Sequence, residues 1–442
     1  RYLRYFMLKI LANRTYRHLF LAQVIALIGT GLATVALGLL AFDLAGANAG
    51  AVLGTALAIK MTAYIGVAPI AAAFAERLPR RAMLVSLDLV RALVALALPF
   101  VTEVWQIYVL IFVLQSASAA FTPTFQATIP DILVDEDDYT RALSLSRLAY
   151  DLESVASPML AAALLTVISF HSLFAGTVIG FLASAALVAT VLLPKAKQIP
   201  RRSIYERTTR GMRIFLATPR LRGLLALNLT VAAASAMVIV NTVVLVQSRF
   251  ALPQSSTALA LAAFGGGSMV AALVLPRLLK NIKDRTAMLF GGGVLVAGLA
   301  VGINLTTYNF LLPLWVVLGV GYSLAQTPSG RLLRRSAHAE DRPALFAAQF
   351  ALSHACWLIT YPLAGWLGAN ISLTASFVGL AVVAGSALVV SIVIWRPAHD
   401  QDSIKHTHEN LPGDHTHVDG QEGADHEHPY VIDDQHRRWP NK

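Results

Sequence analysis

Polar residues along this chain fall in short clusters, and the stretches between them are apolar on every face. Runs of the ~17–25 residues that cross a bilayer as a helix recur from Leu19 to Ile394. They predict twelve spans, over 18–43, 51–76, 82–101, 104–127, 139–168, 171–193, 221–247, 255–279, 286–304, 308–330, 341–367 and 371–395. The longest polar break among them, Leu192 to Gly223, divides the spans six and six. The expected fold is an all-α membrane protein, with twelve transmembrane helices in two six-helix pseudo-repeats. Its parts are an N-terminal segment (1–17), a first bundle (18–193), a central loop (194–220), a second bundle (221–395) and a polar tail (396–442).

Composition agrees with this pattern. The chain is 56% hydrophobic and 14% charged, where a soluble domain carries about 25% charged residues. Mean hydropathy is +0.62. The net charge of +10 is not a single patch, because Lys and Arg sit in alternate links. One set holds Arg1, Arg4, Lys9, Arg14 and Arg17, then Arg77, Arg80 and Arg81, then Arg141. It continues with the run Lys195 to Arg222, then Arg277, Lys280, Lys283 and Arg285, then Arg331, Arg334, Arg335 and Arg342, and Arg396. The other set holds Arg249 alone. By the positive-inside rule both termini are expected in the cytoplasm. The expected partner is the lipid bilayer rather than nucleic acid, the setting a bacterial inner membrane, and the state a monomer. Cys356 is the single cysteine, which excludes an intrachain disulfide. The opening "RYLRYFMLKILANRTYRHLF" is basic and amphipathic, and no cleavage-type site follows it, so a cleaved signal is not expected.

An internal repeat supports the division. "LPRRAM" at Leu78–Met83 matches "KDRTAM" at Lys283–Met288, an offset of about 205 residues, and "FTPTFQ" at Phe121–Gln126 matches "QTPSGR" at Gln326–Arg331 at that offset. Parallel repeats of six helices are the layout of one large transporter fold. The link after span 2, "AAFAERLPRR" (Ala72–Arg81), resembles the G-x-x-x-D-R-x-G-R-[KR] signature of the major facilitator superfamily. Ala72, Glu76 and Pro79 stand where that signature has Gly, Asp and Gly, while Arg77, Arg80 and Arg81 fit it directly. The resemblance implies that Glu76, Arg77 and Arg81 latch the cytoplasmic gate; plain topogenic charge is the competing reading. Residues Asn13–Gly46 are similar to the opening of a prokaryotic exporter branch that holds siderophore and drug effluxers and Nre-type nickel-resistance proteins. The nickel-resistance members resemble this chain again in their His-rich cytoplasmic tails.

Here the tail carries three i, i+2 histidine pairs, His406/His408, His415/His417 and His426/His428, among Glu409, Asp414, Asp419, Asp425 and Glu427. In an extended chain each pair puts both rings on one side, so that the two can share an ion. Imidazole with carboxylate suits Ni(II), Zn(II), Co(II) or Cu(II). The irregular gaps predict a flexible, multi-site chelator rather than a closed structural site. A merely solvated end and a pH sensor are the alternatives. The closing "YVIDDQHRRWP" (Tyr430–Pro440) mixes apolar and charged residues and suits docking on the cytoplasmic face.

Ionisable groups within spans are costly and are functional candidates by default. Lys60 sits midway in span 2, to hold a counter-charge or repel cations, unless it snorkels. Asp88 and Arg91 are i, i+3 in span 3 and can pair, as a structural or gating pair. In span 5, Arg147 and Asp151 are i, i+4, whereas Glu153 has no such partner. Asp151 or Glu153 could carry the proton of an antiport cycle or ligate a cation; a structural salt bridge is the alternative. In span 11, His354 and Cys356 fall opposite span 5 at the repeat offset. With Asp151 and Glu153 they make a candidate O/N/S site for a divalent metal; alternatively His354 is a hydrogen-bonded packing residue. Asn228, Asn241, Gln115 and Gln326 are lesser lining candidates.

No catalytic constellation and no GxxxxGK[ST] phosphate loop occurs, so neither an enzyme nor direct ATP drive is expected, and no resident cofactor. The sequence reading is a proton-antiport exporter of a divalent metal, Ni(II) first. The runners-up are an exporter of organic molecules with a metal-binding tail, and a transporter-like receptor for metal load.

Overall fold

The computed structural model describes residues 9–75, 79–133, 135–193, 204–278, 282–338, 341–401, 403–406 and 426–433, together with His436 and Trp439. Six long helices form the first bundle: α1 (Arg14–Ala45), α2 (Ala49–Ala75), α3 (Arg80–Ala97), α4 (Val104–Ile132), α5 (Glu136–Leu164) and α6 (Phe170–Ala189). A shorter helix, α7 (Ile204–Ala217), occupies the central loop. The second bundle holds α8 (Pro219–Val243), α9 (Gln254–Leu278), α10 (Asp284–Gly302), α11 (Tyr308–Gln326), α13 (Arg342–Asn370) and α14 (Leu373–Ile394), with the short α12 (Ser329–Arg334) between α11 and α13. Spans 1 to 6 are thus α1 to α6, spans 7 to 10 are α8 to α11, and spans 11 and 12 are α13 and α14.

Local chemistry sets the ends of these helices. Asn13, Asp135, Thr307 and Ser372 cap α1, α5, α11 and α14, each accepting a hydrogen bond from a first-turn backbone N–H. The cap at Asp135 starts span 5 three residues earlier than the apolar pattern does, and α5 ends at Leu164. Span 10 stops at Gln326 because Pro328, two residues on, cannot donate to a continuing helix. Among the described residues, ten stretches are long and apolar enough to cross a membrane, the first of them, Arg14–Val67, containing α1 and most of α2. The sequence of α5 carries Glu136, Asp137, Asp138, Arg141, Arg147, Asp151 and Glu153.

Within the first bundle α1 packs along α6, and within the second α8 packs along α14. The bundles meet chiefly along α2 against α13 and α5 against α9. Small residues allow the first crossing. A Cβ on Gly54 would lie 2.5 Å from the Tyr361 carbonyl oxygen, and one on Gly50 would lie 2.7 Å from Asn241 Oδ1. Gly365 meets the Gly50 backbone from the other side. Backbones this close are the hallmark of small-xxx-small packing in lipid. This contact joins the two bundles near the start of α2 and the end of α13.

The tail departs from the all-α expectation. In it, β1 (Ser403–His406) pairs antiparallel with β2 (His426–Pro429). The register sets His406 opposite His426, Lys405 opposite Glu427 and Ile404 opposite His428. Beyond the strands, Tyr430, Val431, Ile432 and His436 are buried, and Tyr430 and Ile432 join the apolar core.

Candidate functional site

Among the described residues, two groups of charged side chains lie within the first bundle's spans and at its interface. The first is the α3 pair. Asp88 and Arg91 are bonded to each other, as their spacing predicts, and Ser184 Oγ on α6 donates to Asp88 at 2.7 Å. The Arg91 guanidinium lies 4.2 Å from the Phe121 ring centre on α4 and 4.5 Å from that of Phe181 on α6. These partners all belong to the first bundle. The pair staples α3, α4 and α6 together within the first bundle.

The second group bridges the two bundles. Lys60 on α2 and Glu153 on α5 lie within electrostatic reach of each other, and the Lys60 charge also reaches His354 on α13. Gly31 on α1 makes room for the carboxylate, since a Cβ there would lie 2.6 Å from Glu153 Oε1. His354 stacks on Tyr64 of α2, ring centres 5.5 Å apart, and on Phe350, 3.9 Å apart. Its Nδ1 is 2.7 Å from the Phe350 carbonyl oxygen, to which it donates. Lys60 Nζ is 6.0 Å from the Tyr64 ring centre. Lys60 thus stays inside rather than snorkelling, and it supplies the partner that the sequence spacing does not show for Glu153.

The expected pairing of His354 with Cys356 is not formed. Residues two apart on an α-helix point roughly 200° apart. Cys356 is buried on the opposite side of α13, with Sγ 4.0 Å from the Leu225 carbonyl oxygen on α8. Among the described residues no three His, Cys, Asp or Glu side chains are grouped to hold a metal ion.

The strand pair fixes the backbone register of the tail histidines it contains. His426 is matched across the ladder with His406, whereas His428 stands opposite Ile404 and has no histidine facing it. The reason is the antiparallel register: a step of two residues along β2 moves the partner two residues back along β1, from a histidine to an isoleucine. The strand pair therefore brings together one histidine from each end of the tail, His406 and His426, and leaves His428 outside that pairing.

Asp151 lies on α5, with its side chain outside the described residues, as is that of Arg147. Glu76, Arg77, His408, His415 and His417 also lie outside the described residues. Arg81 is exposed at the start of α3, and its neighbour Arg80 pairs with Asp131 at the end of α4. Asn228 accepts from Gln326 at 3.4 Å. Asn241 donates to the Ala364 carbonyl and to Ser376, which fastens α8 to α13 and α14.

Sequence reasoning passed over a third cluster, on the face that carries the termini. Arg220 is fully buried. It donates to Ser336 Oγ at 2.9 Å and to the Arg335 carbonyl at 2.7 Å, and it lies 5.4 Å from the Trp439 ring centre. The α12–α13 link is the hub of this face. Arg331 pairs with Asp284, Arg335 with Asp400 of the tail, and Arg210 of α7 donates to Asp341 at 2.9 Å. His338 Nε2 is 3.3 Å from Asp433, which also accepts from the His436 backbone N–H at 2.6 Å. A lone Arg after a proline gave no signal of such burial.

Two six-helix bundles, joined by a long loop and meeting around an interior charged cluster, define a membrane transporter of the two-bundle kind. The chain belongs to the Major Facilitator Superfamily, whose family model matches residues 19–303 and 224–419. It is 22% identical over 300 residues to the uncharacterized MFS-type transporter YfiS of Bacillus subtilis, across 63% of this chain and 69% of that one. Macrolide efflux protein A of Streptococcus pyogenes is 26% identical over 153 residues, which spans 32% of this chain and 38% of the relative. Among solved structures, the nucleoside transporter NupG superposes with a TM-score of 0.71 at 12% identity, over 86% of this chain and all of that one. A D-xylose–proton symporter superposes at 0.64 and 13% identity, over 88% of this chain and 98% of that one. These likenesses at low identity establish the fold.

Proposed function

We propose that this chain is a proton-driven exporter of the bacterial cytoplasmic membrane, with both termini and the tail on the cytoplasmic side. The observation that carries the proposal is the Lys60–Glu153–His354 cluster, which draws on both bundles at the interface where they must rock. Glu153 carries the proton. Lys60 is its counter-charge and holds the carboxylate ready to exchange proton for cargo. The glycine-lined α2–α13 crossing is the outer gate, closed in this structure, and the hub around the α12–α13 link is the inner face.

The cluster favours an organic cargo. A divalent metal at Glu153 would have to sit beside the Lys60 ammonium, and Cys356 is turned away from His354. The stacked His354, Tyr64 and Phe350 rings offer instead a flat apolar surface beside a charge pair, the lining that organic molecules use. The efflux proteins among the relatives support the same reading. A second reading, export of Ni(II) or a similar divalent metal, is favoured by one observation. The tail sets His406 opposite His426 across a strand pair, and imidazole ligands suit such ions.

Proteoliposomes with a pH-sensitive dye inside separate the two. An organic exporter gives proton movement with a macrolide or another amphiphilic drug and none with Ni(II) or Co(II). Proton movement driven by Ni(II) that survives truncation after Pro397 establishes metal cargo. If Glu153→Gln leaves proton movement unchanged with every cargo that drives it, the coupling role of Glu153 is wrong.

A further inference from the structure

Next to the charged cluster, inside the first bundle, lies a cavity of about 20 Å³, room for a single water or an ammonium group. Thr30, Thr34, Gln115, Ser118 and Lys60 supply its polar lining. The three hydroxyls have all spent their hydrogens on their own helices. Thr30 donates to the Ala26 carbonyl at 2.9 Å, Thr34 to the Thr30 carbonyl at 3.0 Å and Ser118 to the Leu114 carbonyl at 3.0 Å. What they turn toward the cavity is lone pairs. Gln115 is 8% exposed, and its Oε1 is a buried acceptor with no hydrogen-bond partner. A buried acceptor left unmatched is destabilising, so its retention asks for a donor that is there part of the time. Acceptors dominate the polar lining of the cavity, and the Lys60 ammonium at its wall has three N–H bonds to give.

We propose that this cavity is a second station for the Lys60 ammonium, occupied when Glu153 is neutral. The proposal rests on Glu153 as the proton carrier. When the carboxylate takes up a proton, Lys60 loses its counter-charge. A bare ammonium away from water is heavily penalised, so it must shed its own proton or find neutral acceptors. Thr30, Thr34, Gln115 and Ser118 are those acceptors, within the reach of a flexible four-carbon stem. Moving there withdraws the Lys60 charge from the interface between the bundles, and moving back restores it. Gln115 is then a positioning residue: it touches neither proton nor cargo, yet it decides where the cation rests.

Two measurements test this. The first is the structure of Glu153→Gln, whose neutral amide stands in for the protonated acid, in lipid nanodiscs. Lys60 Nζ is expected in the cavity, within hydrogen-bond distance of Gln115 Oε1. Density for Lys60 in its present place, with water or nothing in the cavity, overturns the proposal. The second is a thermal-unfolding cycle on Glu153→Gln and Gln115→Leu. Their joint loss of Tm is expected to exceed the sum of the single losses by about 2 °C or more, and Lys60→Met is expected to abolish that excess. Additive losses, or an excess that survives Lys60→Met, refute it, since a merely structural glutamine does not care about Lys60. Neither measurement needs transport, so failure here is distinct from failure of Glu153 as the proton carrier, which the dye assay reads.

Discussion

At the scale of single residues, burial decides which charges matter. Asp88 and Arg91 are 0% and 5% exposed, and they are bonded to each other. Removing one partner of such a pair leaves a buried charge uncompensated, a loss of about 3–5 kcal/mol. Asp88→Ala is therefore expected to lower Tm sharply in detergent, while the double change Asp88→Leu with Arg91→Met recovers most of it. A double variant as unstable as the single would show that the pair does more than neutralise itself. The i, i+3 spacing made this pair legible in the sequence. The partnership of Lys60 with Glu153 was not legible, because their separation along the chain carries no information about distance across the bundle.

At the scale of elements, the α2–α13 crossing depends on the absence of side chains. Gly54→Leu puts a branched side chain where the Tyr361 carbonyl stands, and a helix pair in lipid has no hydrophobic drive to press it closed. The variant is expected to fold yet hold the two helices apart. Spin labels near residues 49 and 369, in a Cys356→Ser background, are expected to report a longer distance than in the parent, and transport is expected to fall at least tenfold. An unchanged distance would show that the crossing is not a gate. The glycines are visible in the sequence as Gly50-x-x-x-Gly54, but the motif does not say which helix it meets. The break between α11 and α12 is the opposite case: Pro328 alone announces it, and a reading of hydropathy alone runs through it.

At the scale of the molecule, the tail is an appendage that has been fastened down. Asp400 and Asp433 tie it to Arg335 and His338, and Trp439 lies against the fully buried Arg220. The two strands therefore spring from anchored points, which brings His406 and His426 together without the full entropy of closing a free loop. Ni(II) is expected to bind the full chain roughly tenfold or more tightly than a synthetic peptide of residues 400–436. Trp439→Ala is expected to weaken that binding; equal affinity in all three would show that anchoring is irrelevant to the metal. Tyr430 gives the docking a pH limit. Burial, and secondarily the Asp433 charge, push its phenol up to about 12 from the usual 10.0. The docked state therefore holds the phenolic proton more tightly than the released state. That preference is intact below pH 10 and is lost as pH rises from 10 toward 12. Proteolysis of the tail at rising pH is expected to accelerate in that window, and Tyr430→Phe to remove the dependence.

The sequence alone determined the helical membrane architecture, the six-plus-six division and the alternate links in which positive charge collects. Those properties follow from local runs: a bilayer demands whole helices of fixed length, and apolar length, proline and caps are written in consecutive residues. It also marked Lys60, Glu153 and His354 as costly groups, because any ionisable residue in such a run stands out. The tertiary structure alone decided their company. It set His354 on Tyr64 and away from Cys356, matched His426 with His406 while His428 met Ile404, aimed Lys60 at both Glu153 and a cavity rich in acceptors, and buried Arg220 under the tail. Contacts between distant segments depend on register, and on rotation and tilt about each helix axis, and those are fixed only when the bundles and the tail pack.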